Sequence, residues 1–215
     1  MLLVAHRTPP TAAGCAQLVA AGAGAFELDV QLAGGEVLVS HYLPFLRVRG
    51  WLQHDSWRFR WRSGPPHDAV VRDAVDRIPA DCLILLDPKD TDAFRRAALV
   101  DALARTLGAA DRFRVSTHRP DDLARYRDAG FRTWRTIKDG RDLHRVITGA
   151  QLPDDGVSVR HTLLTSASVD RLREVTGRVV AWTVNDVIRA AELAALGVDG
   201  ITTDRLDVMR AVAGP

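Results

Sequence analysis

Phe26-Glu27-Leu28-Asp29-Val30 places two carboxylates, two residues apart, inside an apolar run that continues to Leu32. In an extended strand this spacing turns both side chains to one face. The segment therefore reads as a strand with a pair of acids on a single side. Further polar groups close other short apolar runs: Leu2 to Ala5 leads into His6-Arg7, Val37 to Ser40 into His41, and Cys82 to Leu86 into Asp87-Pro88-Lys89. Asp87 and Lys89 repeat the two-residue spacing and share a face in the same way.

The same kind of run recurs at Phe113 to Ser116, Phe131 to Arg135, Gly156 to Val159, Val179 to Thr183 and Gly200 to Thr203. Helical patterns fill the gaps, at Thr11 to Ala21, His67 to Arg77, Asp92 to Leu107, Pro120 to Ala129, Gly140 to Thr148, Ser166 to Val175, Val187 to Ala195 and Leu206 to Val212. Pro120-Asp121-Asp122 has proline in the first turn and acids at the positive helix end, and Gly130 and Gly197 stand where helices should stop. About eight βα units without a linker or a low-complexity stretch predict an α/β fold, a small TIM (β/α)8 barrel, as a single domain over residues 1–215. Such barrels carry their chemistry at the rim where strands end, which is where the polar groups stand.

Composition narrows the class. With 29 Lys and Arg against 27 Asp and Glu, the net charge is +2, so global charge gives no reason to expect a nucleic-acid partner. Only Lys89 and Lys138 are lysine, which singles out the compact ammonium of Lys89 beside a carboxylate in a chain that otherwise uses arginine. Cys15 and Cys82 are expected to be reduced core thiols. The start, MLLVAHRTPP, lacks a basic leader region, and no apolar run approaches the roughly 18 residues of a membrane span, so a cytoplasmic protein without a transmembrane segment is expected. Composition says nothing of oligomeric state.

The polar groups suggest a chemistry. Inward carboxylates at Glu27 and Asp29 would repel unless a cation or proton held them; facing outward they would make ordinary ion pairs with helices. With Asp87 two positions before Lys89 on the next strand, they read as ligands for one hard divalent cation, Mg²⁺ or Ca²⁺. A lone histidine at a strand end is commonly structural. Two of them, His6 and His41, can divide a phosphoryl transfer, one taking the nucleophile's proton while the other protonates the leaving alkoxide. Arg7 can pair with a non-bridging phosphate oxygen. A metal-assisted phosphodiesterase acting on a small-molecule or lipid-derived diester follows. A cyclising enzyme that ends at a cyclic phosphate and a non-catalytic phosphate-binding barrel are the rival readings.

The ordered set His6-Arg7, Glu27-x-Asp29, His41 and Asp87-x-Lys89, with Ala181-Trp182-Thr183-Val184-Asn185 and Gly197-Val198-Asp199-Gly200-Ile201-Thr202-Thr203-Asp204, resembles the glycerophosphodiester phosphodiesterase family over essentially the whole chain. The resemblance implies a TIM barrel, a divalent cation on Glu27, Asp29 and Asp87, and an acid/base pair of His6 and His41. It also implies phosphate binding by Arg7 and Lys89, and a pocket lined by Trp182. The chain departs from the family pattern at Thr8-Pro9-Pro10-Thr11 after His6-Arg7, at Tyr42 after His41, and at Asp87, where the family has glutamate. Asp87-x-Lys89 looks more like the related sphingomyelinase D-type phospholipases, which expel the headgroup through an internal hydroxyl and leave a cyclic phosphate.

Other residues are expected nearer the edge of the site. His118 and His161 follow strands and can reach substrate, whereas His54, His67 and His144 are assigned to the surface. Tyr42 to Pro66 breaks the βα alternation and forms a short Arg/Trp-rich insertion after the second strand. Within it, Trp57-Arg58-Phe59-Arg60-Trp61-Arg62 alternates strictly, which predicts an extended segment with rings on one face and guanidinia on the other. Following His41, it should hang over the rim as a lid or hairpin, with Trp57 and Trp61 facing substrate or packing on the rim.

Overall fold

The computed structural model describes residues 1–7, 11–41, 43–47, 51–55, 58–63, 69–89, 92–149, 152 and 154–214. Eight parallel strands run β1 (Leu2–Ala5), β2 (Ala25–Ala33), β8 (Leu83–Pro88), β9 (Phe113–Thr117), β10 (Arg132–Ile137), β11 (Gly156–Arg160), β12 (Val179–Trp182) and β13 (Gly200–Thr203). Each pairs with the next, and β1 pairs with both β2 and β13, so the sheet closes into a barrel. Helices α1 (Ala12–Ala20), α2 (Val71–Asp76), α3 (Ala93–Leu107), α4 (Pro120–Asp128), α5 (Gly140–Ile147), α6 (Ser166–Val175), α7 (Val187–Ala195) and α8 (Leu206–Ala213) alternate with the strands. This is the (β/α)8 barrel that the alternation predicts.

Residues of alternating position on each strand enter two separate cores. Phe26, Leu28 and Val30 of β2 and Ile84 and Leu86 of β8 join the large cluster that includes Leu99, Leu103, Leu172 and Leu193 of the helices. The residues between them face inward. Val4, Ala25, Leu85, Trp134 and Val180, one from each of five strands, form a small plug inside the barrel. Each fully buried Leu or Phe of the outer layer contributes about 1.5–3 kcal/mol relative to exposure. The sheet–helix layer therefore holds the fold, and the inner face above the plug is free to be polar.

Local signals set the helix ends. Thr11, Asp92, Asp139, Thr165 and Asp186 each cap a helix by accepting a backbone N–H from its first turn. Pro120 opens α4 with Asp121 and Asp122 in its first turn, and Gly130 and Gly197 follow helices with φ of 87° and 78°. Cys15 and Cys82 are free and buried, and no helix among the described residues is long and apolar enough to cross a membrane.

The structure extends two expectations and corrects one. First, β3 (Glu36–Val39), the run expected beside the second strand, lies outside the eight strands of the barrel. It pairs antiparallel with β2 through a two-residue Gly34-Gly35 turn, both glycines at positive φ (60° and 85°) as a tight hairpin turn of this hand requires. Second, the stretch expected as helix from His67 to Arg77 begins helical structure at Val71. Ala69–Val70 is a short strand, β7, that pairs with β3, and His67 lies outside the described residues. Third, the Arg/Trp-rich insertion is more than one extended piece: β4 (Leu43–Arg47), β5 (Trp51–Asp55) and β6 (Arg58–Arg62) form an antiparallel sheet of their own. Three strands satisfy one another's backbone groups, which a lone extended segment cannot do.

Candidate active site

Strand register brings the polar residues to one level. Ala5 pairs with Phe26 on one side and Thr203 on the other, so His6 stands level with Glu27 and Asp204. Asp29 pairs directly with Asp87. His41 arrives by another route. The Val30 carbonyl accepts from Lys89 N–H on the β8 edge, while the Asp29 carbonyl, facing the other edge, accepts from Ser40 N–H. The β2–β3 hairpin thus rises past the rim and returns on the edge where β1 has ended, delivering His41 beside Asp29.

Both imidazoles are held through Nδ1 by a carboxylate. His6 Nδ1 lies 2.7 Å from Asp204 Oδ1, and His41 Nδ1 lies 2.6 Å from Asp29 Oδ2. Burial opposes the Asp29 charge, but the His41 hydrogen bond and the Lys89 ammonium hold its pKa at about 2. Burial also opposes the Asp204 charge, and hydrogen bonds from Asn185 and His6 overcome it, keeping that carboxyl below its usual range. Each carboxylate is therefore an acceptor and each Nδ1 carries the hydrogen, which leaves Nε2 as the basic nitrogen of both rings. His6 Nε2 stands 3.9 Å from Glu27 Oε2. Burial pushes the His6 pKa down against the raising influence of Asp204, favouring the neutral ring.

The three expected ligand carboxylates converge. Oxygens of Glu27, Asp29 and Asp87 lie within 4.8 Å of one another. Burial, then Asp87 and Asp29, push the Glu27 carboxyl well above its ordinary range. Burial also raises Asp87, partly offset by Lys89. Lys89 Nζ bridges the cluster at 2.6 Å from Asp87 Oδ2 and 2.9 Å from Asp29 Oδ1, and these anions hold it protonated. Despite that short ion-pair distance, Asp29 Oδ1 accepts no aligned hydrogen bond among the described residues. Three oxygen donors, two of them unfavourable as anions and one lacking an aligned donor, fit a hard divalent cation.

A cavity of about 360 Å³ opens over this cluster. His6, Arg7, Glu27, His41, Asp87, Lys89 and Trp182 line it, and Asp29 lies buried beneath. Arg7 has φ of 50°, unusual for a residue with a side chain, and its Nε is 3.9 Å from Asp29 Oδ2. Ser116, Thr136 and Ser158 complete the inner wall; Ser116 and Thr136 are joined by a 2.9 Å hydrogen bond.

His118 and His161 stand to the side. His118 lines a smaller cavity of about 220 Å³ that shares Asp87, Lys89 and Thr136 with the main one, and burial lowers its pKa. His161 lines an open cavity shared with Trp182 and Thr183. Trp61 is 55% exposed, and Trp57 lies outside the described residues.

Sequence reasoning assigned no role to Asp204 and Asn185, although both belong to the quoted C-terminal stretches. Asn185 Nδ2 donates to Asp204 Oδ2 at 2.8 Å, and Asn185 Oδ1 accepts from Thr203 Oγ1 and Asp204 N–H, each at 3.0 Å. The pattern that singled out His6, a polar residue directly after an apolar strand, applies equally to Asp204 after β13.

Solved structures share this architecture. An Oleispira antarctica phosphodiesterase in complex with the product sn-glycerol-3-phosphate superposes with a TM-score of 0.74 at 16% identity, covering 100% of this chain and 97% of that one. The glycerophosphodiester phosphodiesterase of Thermotoga maritima gives 0.70 at 18% identity, covering 97% and 96%. The glycerophosphoryl diester phosphodiesterase domain of a Mycobacterium tuberculosis protein gives 0.69 at 20%, covering 98% and 97%. At these identities the likeness speaks for the fold. No curated protein matches the chain significantly. Residues 88–208, more than half of the sequence, match the model of the glycerophosphoryl diester phosphodiesterase family, and the chain belongs to that family of phosphoric diester hydrolases.

Proposed function

We propose that the enzyme cleaves a glycerophosphodiester-like substrate with His6 and His41 as the acid/base pair and one divalent cation, Mg²⁺ or Ca²⁺, held by Glu27, Asp29 and Asp87. The observation that carries this reading is the pairing of two carboxylate-anchored imidazoles with three converging carboxylates around one cavity. A phosphodiesterase of the same fold holds sn-glycerol-3-phosphate as its product, which supports the substrate class.

A cation at that cluster supplies Lewis-acid polarisation of the non-bridging phosphate oxygens. Arg7 and Lys89 spread the negative charge that develops on phosphorus oxygens. One imidazole takes the proton of the attacking hydroxyl at its free Nε2, and the other, entering the step as the imidazolium, gives its Nε2 proton to the departing alkoxide. Anchoring through Nδ1 leaves Nε2 of each ring to carry this exchange. Trp182 lines the substrate side of the cavity. The insertion whose sequence holds Trp57 and Trp61 sets substrate choice without taking part in the chemistry. His118 and His161 contact substituents remote from phosphorus. We further infer a single cytoplasmic domain.

A screen of phosphodiesters with Mg²⁺, Ca²⁺ and EDTA, with products resolved by ³¹P NMR, tests the reading. Turnover to a phosphomonoester that EDTA abolishes and the metal restores is expected. A cyclic phosphate as the final product would make the enzyme a cyclising phosphotransferase instead. Full turnover in EDTA would remove the cation from the mechanism.

A further inference from the structure

We infer that the basic cavity across the mouth from the carboxylates is a subsite for a second anionic group, a phosphate or carboxylate carried on one alcohol of the substrate; this rests on the function proposed above. The cavity measures about 590 Å³ and is lined by Lys138, Asp139, Arg160, His161, Trp182 and Thr183. It shares Lys138, Trp182 and Thr183 with the main cavity, so one ligand can span the two.

Its place in the barrel gives it a direction. The carboxylates sit on β2 and β8, whereas Arg160 ends β11 and Trp182 ends β12. In the closed order these pairs stand four strands apart, on opposite sides of the mouth. A diester whose phosphate rests by the carboxylates and Lys89 projects one alcohol toward Lys138, Arg160 and His161.

The chemistry of the walls is one-sided. Neither Lys138 nor Arg160 has a carboxylate within ion-pair distance among the described residues. The single acid, Asp139, already accepts the Asp142 N–H at the start of α5. Trp182 Nε1 and His161 Nδ1, two ring nitrogens in the wall, have no hydrogen-bond partner among the described residues. The only two lysines of the chain, Lys89 and Lys138, both line the main cavity, and only Lys138 also lines the basic one. An anion satisfies such a wall, whereas a neutral or cationic alcohol group finds no counter-charge there.

The test compares ligands with one and two anionic ends. Calorimetric titration of the Mg²⁺-loaded enzyme with butyl phosphate and with alkanediol bisphosphates of increasing linker length reads the second contact directly. A charge-assisted hydrogen bond is worth about 10- to 100-fold in affinity. The best-fitting bisphosphate should therefore bind at least about tenfold more tightly than butyl phosphate. Arg160→Ala should reduce that gain without altering butyl phosphate affinity, and the double variant Arg160→Ala/Lys138→Ala should abolish it. Bisphosphates that bind no better than butyl phosphate overturn the subsite, as does a gain that survives the double variant, which would mark simple chelation of the metal. Turnover of glycerophosphoglycerol, a diester with no anionic group beyond its single phosphate, by the parent enzyme is measured alongside. Its absence would count against the proposed function, while the titration still decides the subsite.

Discussion

The first four strands of the rim, β1, β2, β3 and β8, and the later barrel strands β9 to β13 contribute to one cavity in different ways. The first group supplies His6, Glu27, Asp29, His41, Asp87 and Lys89 within the first 89 residues. The second supplies the neutral wall of Ser116, Thr136 and Ser158, the basic rim and the exposed Asp204 that steadies His6. The family match falls on residues 88–208, almost wholly within the second region. Likeness of sequence thus accumulates where many positions are constrained by packing between strands and helices. The chemistry proposed above rests on a handful of side chains, of which all but Lys89 precede the matched residues. Family likeness and reactive groups occupy neighbouring but different parts of the chain.

Substitutions that separate activity from stability test this division. The largest effect is expected at the histidines. His6→Ala or His41→Ala should reduce turnover by about 10² to 10⁴ with a melting temperature close to the parent's, and the double variant should lose no more than the worse single one. Steady-state kinetics with thermal melts decides, and a His41→Ala enzyme of nearly full activity removes that residue from the mechanism.

In the second region the balance should reverse. Leu172 of α6 is fully buried in the sheet–helix core. Leu172→Ala should cost about 2–5 kcal/mol in denaturant unfolding. The kcat of the folded fraction should stay near the parent's. A large fall in that kcat would mean that the wall region takes part in more than support.

Asp204 crosses the division, since it lies in the second region and acts on His6. Asp204→Asn should lower kcat by about tenfold through loss of the preferred His6 tautomer, with KM little changed. An equal change in both parameters with a lowered melting temperature would assign Asp204 a structural role only.

The smallest effect is expected in the insertion. Replacing Trp57 and Trp61 by Ala should shift the ratio of kcat/KM between large and small phosphodiesters by a few-fold, about 1 kcal/mol or less, and leave metal affinity unchanged. An unaltered ratio would release the insertion from any part in substrate choice.

Much of the barrel was legible because local periodicity determines it. The two-residue spacing of Glu27 and Asp29 among Phe26, Leu28 and Val30 requires a strand with one polar and one apolar face, and that is how β2 divides between site and core. Helix α6 at Ser166–Val175 and α7 at Val187–Ala195 match the residues expected, since Thr165 and Asp186 cap them from within the same few positions. The convergence of Glu27, Asp29 and Asp87 was readable too, because parallel neighbours at the same strand height follow from the fold.

What the sequence could not determine depends on contacts between distant segments. His6 meets Asp204 across 198 positions only because β1 pairs with the last strand and closes the barrel. His41 was expected at the end of a run beside the second strand, with no direction assigned to it; it reaches Asp29 because a Gly34-Gly35 turn folds β3 back antiparallel on β2, and apolar alternation looks the same in either strand direction. The insertion's three-stranded sheet escaped the pattern of Arg58 to Arg62 for the same reason: a period of two reveals an extended chain but not its pairing partners. Side-chain periodicity is a property of neighbours along the chain, and the sequence alone determined everything that rests on it. Register, strand direction and barrel closure are settled by hydrogen bonds between segments far apart, and those the tertiary structure decided.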